Sequence, residues 1–264
     1  QDGLGHGDRG GGRRVIGAAG LEQVDDLGPA VAGARDDFLE LARGDELLVT
    51  DHAYNACRNV VEYVARASGA RVVVAQVPMP IEAEDEAVDA ILSAASDRTR
   101  LAMIDHVTSP TALVWPIARI VRLLADRGID TLVDGAHAPG MIPLDIDRIG
   151  AAYYTGNCHK WLCCPKGAGF LHIRGDRQEA VRPAIISHGY NTIRAERGRL
   201  YEEFDWVGTV DPTPWLCLPA ALRFLEGLFY GAAGFNGQQV IVPHQPANAA
   251  KQAFQETQGG WQAQ

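Results

Sequence analysis

Between residues 46 and 134 the sequence alternates between short apolar segments and longer segments with a helical apolar period. The short segments are rich in Val, Leu and Ile and end at polar residues, as buried strands do. The longer segments place apolar residues three and four positions apart, which is typical of amphipathic helices. Strands that alternate with helices predict a mainly parallel sheet covered by helices on both faces. The sequence therefore predicts an α/β three-layer sandwich.

The predicted elements can be placed along the chain. Strands are expected at 46–50, 71–77, 100–104, 130–133, 151–155 and 167–173, and helices at 38–41, 60–65, 84–95, 117–124 and 216–230. Right-handed crossovers would bring the carboxyl ends of the parallel strands to one edge of the sheet, which is where such sheets bind ligands. That edge would carry four polar residues: His52, His106, Asp134 and Lys160.

Two of these residues have complementary chemistry. Asp134 ends the apolar run at 131–133, and Lys160 follows the next strand within Gly-Asn-Cys-His-Lys-Trp. Taken singly, an Asp at a strand end is often a helix cap and a Lys there is often a solvated charge. Together they match what pyridoxal phosphate requires, since the amine forms a Schiff base and the carboxylate keeps the pyridine nitrogen protonated.

The motifs around both residues resemble a known family. The Asp-Gly-Ala-His-Ala-Pro-Gly pattern at 134–140 and His-Lys-Trp at 159–161 are similar to the class V aminotransferase family, and within it to the isopenicillin N epimerase-like branch. The resemblance covers residues 44–228. It implies the large domain of a fold type I enzyme that uses pyridoxal 5'-phosphate. It also implies a reaction at the α-carbon of an amino acid: epimerisation, C–S lyase chemistry or transamination.

The resemblance assigns roles to three residues. Lys160 is expected to be the Schiff-base lysine and the base that moves the α-proton. Asp134 is expected to pair with the pyridinium nitrogen. His137 is expected to hydrogen-bond the phenolic oxygen of the cofactor, at a position where relatives often carry Gln. The alternative for His137 is a solvent-facing residue at the start of a helix.

Further cofactor contacts are expected from neighbouring strand ends. His52 matches a position from which many family members stack a ring on the pyridine, and Tyr54 could supply that ring instead. His106 and Thr108 could contact cofactor or substrate. For His52 and Tyr54, the alternative is an ordinary loop position at a strand end.

The resemblance also implies a phosphate site and a dimer. Thr155 and His159 match hydroxyl and imidazole groups that precede the family lysine and bind the phosphate. Gly208 and Thr209 resemble a Gly-Thr pair that reaches the phosphate of the partner's cofactor, which makes a homodimer the expected working unit. A simple turn is the alternative for this pair.

Several classes of protein are disfavoured by composition. A net charge of −9 without a Lys/Arg run speaks against nucleic-acid binding. The adjacent Cys163 and Cys164 are poorly spaced for zinc, so no metal site is expected. Five cysteines without a disulfide-framework spacing favour a reducing, cytoplasmic compartment. No apolar run has the length of a membrane span.

The two ends of the sequence differ from its middle. Residues 1–35 are glycine-rich and are predicted to be disordered or altered, 36–215 to form the cofactor-binding domain, and 216–264 to begin an incomplete C-terminal region. These ends leave open a non-catalytic remnant of such an enzyme. A cysteine desulfurase is a further alternative, although Cys163 and Cys164 lie too near Lys160 for its thiol loop. A dinucleotide-binding fold lacks its Gly-x-Gly-x-x-Gly signature.

Overall fold

The computed structural model describes residues 15–17, 41–191, 198–205 and 208–230. The strands are β1 Val15–Gly17, β2 Glu46–Thr50, β3 Arg71–Ala75, β4 Thr99–Asp105, β5 Asp130–Asp134, β6 Tyr153–Asn157 and β7 Gly169–Ile173. The α-helices are α1 Asn55–Ser68, α2 Glu84–Ala94, α3 Ile117–Ala125, α4 Ile146–Ile149, α5 Arg199–Asp205, α6 Thr213–Leu216 and α7 Leu218–Tyr230.

The described strands form a single sheet with the order β1-β7-β6-β5-β4-β2-β3. The pairs from β3 to β6 are all parallel. Strand β7 runs antiparallel to β6, and β1 runs antiparallel to β7. The carboxyl ends of β2, β4, β5 and β6 therefore share one edge of the sheet, as the alternating pattern predicted.

Each face of the sheet carries its own apolar layer. Because successive side chains of a strand point to opposite faces, Val133 packs with α2 and α3 on one face while Leu132 packs with α1 and α5 on the other. Ile91 of α2 and Ile120 of α3 are fully buried in the first layer. A buried sheet between two helical layers is the predicted three-layer sandwich, and this prediction is confirmed.

The amino-end edge of the sheet is held by ion pairs. Glu46, at the start of β2, is 1% exposed and accepts a hydrogen bond of 2.6 Å from the Ser96 hydroxyl; it also pairs with Arg71. Asp130, at the start of β5, pairs with Arg177 at 2.6 Å. A buried carboxylate is tolerated only with such partners, so these pairs fix the edge of the sheet opposite the strand ends that carry Asp134 and Lys160.

Several boundaries differ from the sequence-based ones; β3, for example, ends at Ala75 rather than at 77. The helix expected at 216–230 is divided, because α6 ends at Leu216 and α7 begins at Leu218. Strand β6 begins at Tyr153 and reaches Asn157, two residues beyond the expected 151–155. Most of the unusual region at 1–35, residues 38–40 of the expected first helix and the segment after 230 lie outside the described residues. None of the described helices is both long and apolar enough to cross a membrane.

Candidate active site

Three polar residues line one face at the carboxyl edge of the sheet. Asp105 of β4, Asp134 of β5 and Thr155 of β6 are direct neighbours in the parallel register. All three are buried, with exposed fractions of 3%, 7% and 2%. Their position follows from the two-residue period, which puts them on the face of Leu132 and Met103. This edge of the sheet therefore brings two carboxyl groups and a hydroxyl together in a buried site.

The carboxylate of Asp134 is held by its neighbours. Its Oδ1 accepts a hydrogen bond of 2.9 Å from the backbone N–H of Ala136, and its Oδ2 lies 3.4 Å from the thiol of Cys57 on α1. The bond from Ala136 closes a short turn at Asp-Gly-Ala, of the kind that aspartate side chains favour. Because both of its oxygens are engaged, the orientation of this carboxylate is fixed, as is required of a partner for a cationic ring nitrogen.

Lys160 belongs to a three-residue hydrogen-bonded chain. Its Nζ lies 3.0 Å from Nε2 of His137, and the indole Nε1–H of Trp161 donates to Nδ1 of His137 at 3.2 Å. Tyr54 contributes its ring, with the Lys160 Nζ 6.0 Å from the ring centroid. Burial and the nearby Lys160 charge lower the pKa of His137 below its ordinary value, against the pull of Asp134. The imidazole is therefore neutral at physiological pH.

Gly140 joins the loop after β5 to the loop after β6. It has a left-handed φ of 81°, and a Cβ placed on it would lie 2.6 Å from the carbonyl oxygen of Trp161. Only glycine allows both this backbone conformation and this close approach. The glycine that ends the Asp-Gly-Ala-His-Ala-Pro-Gly motif thus seats the His-Lys-Trp motif, which explains why His137 and Lys160 meet.

Asp105 is a member of the site that the sequence reasoning missed. Burial first, and the nearby Asp134 charge second, raise the pKa of Asp105 to about 8. Its Oδ2 is buried and has no hydrogen-bond partner within the described part of the chain. A signal was present in the sequence, because Asp105 ends an apolar run in the same way as Asp134 does. A buried acid with a raised pKa beside a fixed carboxylate is typical of functional sites.

The raised pKa of Asp105 predicts a pH-dependent stability. In the folded chain this carboxyl keeps its proton up to about pH 8, whereas in the unfolded chain it loses the proton near its ordinary value of 3.8. The unfolded state then binds fewer protons across this window, so stability falls as pH rises through it, by up to about 1.4 kcal/mol per pH unit. We expect Asp105→Asn to flatten this fall in urea unfolding of the cofactor-free chain at pH 5 and pH 8. The exposed Asp89→Asn is the control, and an equal slope in Asp105→Asn and the unchanged chain would contradict the assignment.

His52 and Thr108 belong to a second polar group at the same edge. Nδ1 of His52 and the Thr111 hydroxyl are 2.9 Å apart, and the hydroxyls of Thr111 and Thr108 are 2.8 Å apart. The His52 ring also meets Trp115 edge-on at 5.6 Å. Of the two rings expected to stack on a cofactor, the structure brings Tyr54 close to Lys160, while His52 is held in this network with Thr111.

His106 lies on the opposite face from Asp134. It follows Asp105 by one residue, so its side chain points the other way, and its Nδ1 pairs with the Tyr154 hydroxyl at 2.8 Å. Burial lowers the pKa of His106 to about 4. The Tyr154 ring packs so closely on Gly135 that a Cβ there would overlap it. The structure therefore does not bring His106 together with Asp134 and Lys160.

The His106–Tyr154 pair predicts a stability effect rather than a catalytic one. Tyr154→Phe removes the hydroxyl and leaves Nδ1 of His106 without that partner in a buried place. We expect a loss of about 1–3 kcal/mol in the free energy of unfolding, measured with urea. Tyr63→Phe, on a side chain that is 60% exposed, is the matched control. A loss in Tyr154→Phe no larger than in this control would show that the hydrogen bond contributes nothing.

The remaining predicted residues are distributed around the site. Thr155 lies on the Asp134 face, with its hydroxyl 3.5 Å from the Val133 carbonyl oxygen. Nδ1 of His159 lies 3.2 Å from the Ala168 carbonyl oxygen, which leaves Nε2 available. Gly208 has a φ of 129° and Thr209 is exposed.

The cysteines do not form a reactive centre in the described structure. All five lie within the described residues, and none forms a disulfide. Burial raises the pKa of the Cys163 thiol. Burial, together with the neighbouring Cys164, raises the pKa of Cys158 to about 12. Both shifts disfavour the nucleophilic thiolate. Within the described ranges, no group of three or more His, Cys, Asp and Glu side chains could hold a metal ion.

Comparison with known proteins agrees with this geometry. Residues 30–233 match the family model described as aminotransferase class-V. The chain is 36% identical to isopenicillin N epimerase of Amycolatopsis lactamdurans over 81% of its own length and 61% of that protein. It is 37% identical to putative L-cysteine desulfhydrase 1 of Oryza sativa subsp. japonica, over 76% and 43% respectively. The chain thus spans about half the length of these curated relatives.

Solved structures share the fold. A cystine C–S lyase in complex with its reaction product cysteine persulfide superposes with a TM-score of 0.69 and 25% identity, over 80% of this chain and 56% of that one. The cysteine desulfurase of Escherichia coli superposes with a TM-score of 0.65 and 22% identity, over 80% and 52%. The second likeness concerns the fold alone. Together they confirm the predicted fold class.

Proposed function

Because the chain belongs to the class V aminotransferase family, we propose that it forms the catalytic part of a pyridoxal 5'-phosphate enzyme that removes the α-proton of an amino acid. The observation that carries the proposal is the 3.0 Å contact between Nζ of Lys160 and Nε2 of His137, beside the buried carboxylate of Asp134. Epimerisation and C–S elimination are the two outcomes that the relatives' names favour. Transamination is a third outcome of the same proton removal.

The donor set fits the cofactor. An aldehyde, a phenolic oxygen and a basic ring nitrogen need an amine, a hydrogen-bond donor and a carboxylate, and Lys160, His137 and Asp134 supply these groups. The carboxylate is already directed by Ala136 and Cys57, so it needs no rearrangement to serve as an acceptor. On the same face, the buried Oδ2 of Asp105 has no hydrogen-bond partner within the described residues, so it could form a hydrogen bond with a bound group.

Other residues would complete the cofactor site. The Tyr54 ring, which lies over the Lys160 amine, would cover the flat face of the heterocycle, with His52 as the alternative. The Thr155 hydroxyl and Nε2 of His159 would bind the phosphate. Thr108 would face the cofactor or substrate from the strand end after Asp105. His106 is left out of this proposal because it points to the opposite face of the sheet.

Pyridoxal phosphate, when bound, supplies an electron sink for the electron pair left behind by proton loss. The chain's own residues would perform the rest. Lys160 would take the α-proton on Nζ, and either protonation of Cα from the opposite face by a second acid or release of a β-substituent would decide the product. His137 orients the amine through Nε2, and Asp134 holds positive charge at the ring nitrogen. Tyr54 restricts the access of water to the amine.

We further propose a homodimer in a reducing compartment such as the cytoplasm. Gly208 is partly exposed and Thr209 is exposed, as a contribution to a partner's phosphate site requires. The five cysteines without disulfides suit a reducing compartment. One relative is described as a probable chloroplastic L-cysteine desulfhydrase, so an organelle is the alternative location.

Cysteine desulfurase activity is a less favoured proposal. It needs a nucleophilic thiol near the substrate, but the pKa of Cys163 is raised by burial and its Sγ lies 3.7 Å from the Trp161 carbonyl oxygen. The thiol of Cys57 faces Asp134. The exposed Cys163 and the buried Cys57 are thus both placed for hydrogen bonding. The remnant hypothesis remains the direct competitor of the enzyme proposal.

The proposal is tested by incubating the purified chain with pyridoxal phosphate, followed by borohydride reduction and peptide mapping. We expect a near-visible absorbance band that becomes fixed on Lys160. L-cysteine should then release sulfide if elimination dominates, whereas deuterium wash-in at Cα with loss of chirality would indicate epimerisation. Labelling scattered over exposed lysines such as Lys166 would favour the non-catalytic remnant.

A further inference from the structure

His137 accepts one hydrogen bond whose direction is chemically fixed. An indole nitrogen can only donate, so the 3.2 Å contact from Nε1 of Trp161 requires a lone pair on Nδ1 of His137. An imidazole with a lone pair on Nδ1 carries its proton on Nε2. Burial, the largest cause that lowers the pKa of His137, favours the same neutral state. The contact with Trp161 therefore selects the Nε2–H tautomer.

This tautomer determines what the neighbouring amine can be. Nε2 of His137 lies 3.0 Å from Nζ of Lys160, and an Nε2–H group there needs an acceptor. An ammonium group has three donors and no lone pair, whereas an unprotonated amine can accept. A protonated Lys160 would force Nε2 to accept, and the resulting Nδ1–H would then oppose the indole N–H of Trp161. The Trp161 bond and the ammonium form exclude one another.

The other groups around Lys160 favour its protonated form instead. The Asp134 carboxylate acts on His137 and lies beside Asp105, which keeps its proton at neutral pH, and the Tyr54 ring presents its face to Nζ. Negative charge and an aromatic face both favour a cation. His137 is a further titratable group against the amine. A nucleophilic lysine at this place therefore needs a contribution that offsets these neighbours.

We propose that Trp161 is a positioning residue that holds His137 in its Nε2–H tautomer and thereby favours the unprotonated form of the Lys160 amine. Its consequence for catalysis rests on the proposed function, but the tautomer and the amine state are properties of the cofactor-free chain. Gly140 supports the arrangement, because it allows the backbone of Trp161 to approach the loop that carries His137.

The test compares the unchanged chain with Trp161→Phe, which keeps an aromatic ring and removes the indole N–H. Long-range proton–nitrogen spectra of the 15N-histidine-labelled, cofactor-free chain report the tautomer, and the His137 signals are identified by their loss in His137→Gln. Trace acetylation with acetic anhydride, followed by mass-spectrometric mapping, reports the amine, with the exposed Lys166 as the internal reference. Trp215→Phe, on α6, is the matched control.

We expect the Nε2–H tautomer in the unchanged chain and in Trp215→Phe, and a shift toward Nδ1–H in Trp161→Phe. Acetylation of Lys160 relative to Lys166 should fall about fivefold at neutral pH in Trp161→Phe, the size of one hydrogen bond. Unchanged acetylation, or an unchanged tautomer, would overturn the proposal. If Trp161→Phe fails to fold, an Nδ1–H or doubly protonated His137 in the unchanged chain is sufficient to overturn it.

Titration of the unchanged chain with pyridoxal phosphate separates this inference from the proposed function. An Nε2–H His137 with no band fixed on Lys160 would retain the tautomer and reject the enzyme. A band on Lys160 with an Nδ1–H His137 would retain the enzyme and reject the role of Trp161.

Discussion

Lys160→Ala is expected to abolish the covalent attachment of pyridoxal phosphate and to lower any α-proton exchange by about 10³-fold or more, because it removes both the amine and the general base. The half-buried Lys160 lies against His137 and beneath Tyr54, so solvent amines cannot easily replace it. The measurements are the borohydride-fixed label and deuterium incorporation at Cα of a supplied amino acid.

Two further variants sharpen this prediction. Lys160→Arg keeps a cation but offers no amine that can attach to the aldehyde, so it should fail in the same way as alanine. Lys166→Ala removes an exposed lysine and should leave both measurements unchanged. Persisting exchange in Lys160→Ala would assign the proton transfer to another residue, whereas equal loss in Lys166→Ala would indicate nonspecific damage.

Gly140→Ala is expected to lower activity by about 10²-fold, because its Cβ would push the Trp161 carbonyl away and displace Lys160 from His137. A misplacement of about 1 Å at a reacting group has an effect of this size. The same substitution also places alanine at a φ of 81°, at a cost of about 1–2 kcal/mol in unfolding free energy.

Gly128→Ala provides the matched control for Gly140→Ala. Gly128 also has a left-handed φ, of 74°, but nothing lies within 4 Å of a Cβ placed on it. Both variants should lose similar stability from the backbone conformation, and only Gly140→Ala should lose activity beyond that. Thermal melts and deuterium exchange measured in parallel separate the two effects. An equal activity in the two variants would mean that the close approach to Trp161 does not position Lys160.

The sequence predicted the fold because the physics involved is local and periodic. The alternation of strand and helix patterns located β2 to β7, and the motifs marked the strand ends of Asp134 and Lys160. Which face of the sheet a strand-end residue occupies was the harder question. His106 and Asp105 differ by one position, but Asp105 pairs in register with Asp134, whereas Nδ1 of His106 pairs with the Tyr154 hydroxyl. The sequence analysis chose His106, while the structure brings Asp105 to Asp134.

Pairwise contacts between distant residues were also beyond the sequence. Nothing in the order of residues indicates that Cys57 faces Asp134, or that Thr111 links His52 to Thr108. These contacts depend on how α1 and the loop after β4 pack, which is a tertiary property. The Trp161 contact with His137 is intermediate, since both residues lie in recognised motifs and only their mutual geometry was missing.

The two edges of the sheet differ in what a change there would risk. Glu46 and Asp130 tie the amino ends of β2 and β5 to Ser96, Arg71 and Arg177, whereas the loops after the strands carry the reactive groups. A mutant library confined to those loops, with His137, Gly140 and Lys160 kept, would therefore vary the surroundings of the site while leaving the anchoring contacts intact. The fold in this way separates what must be preserved from what evolution or a protein engineer is able to vary.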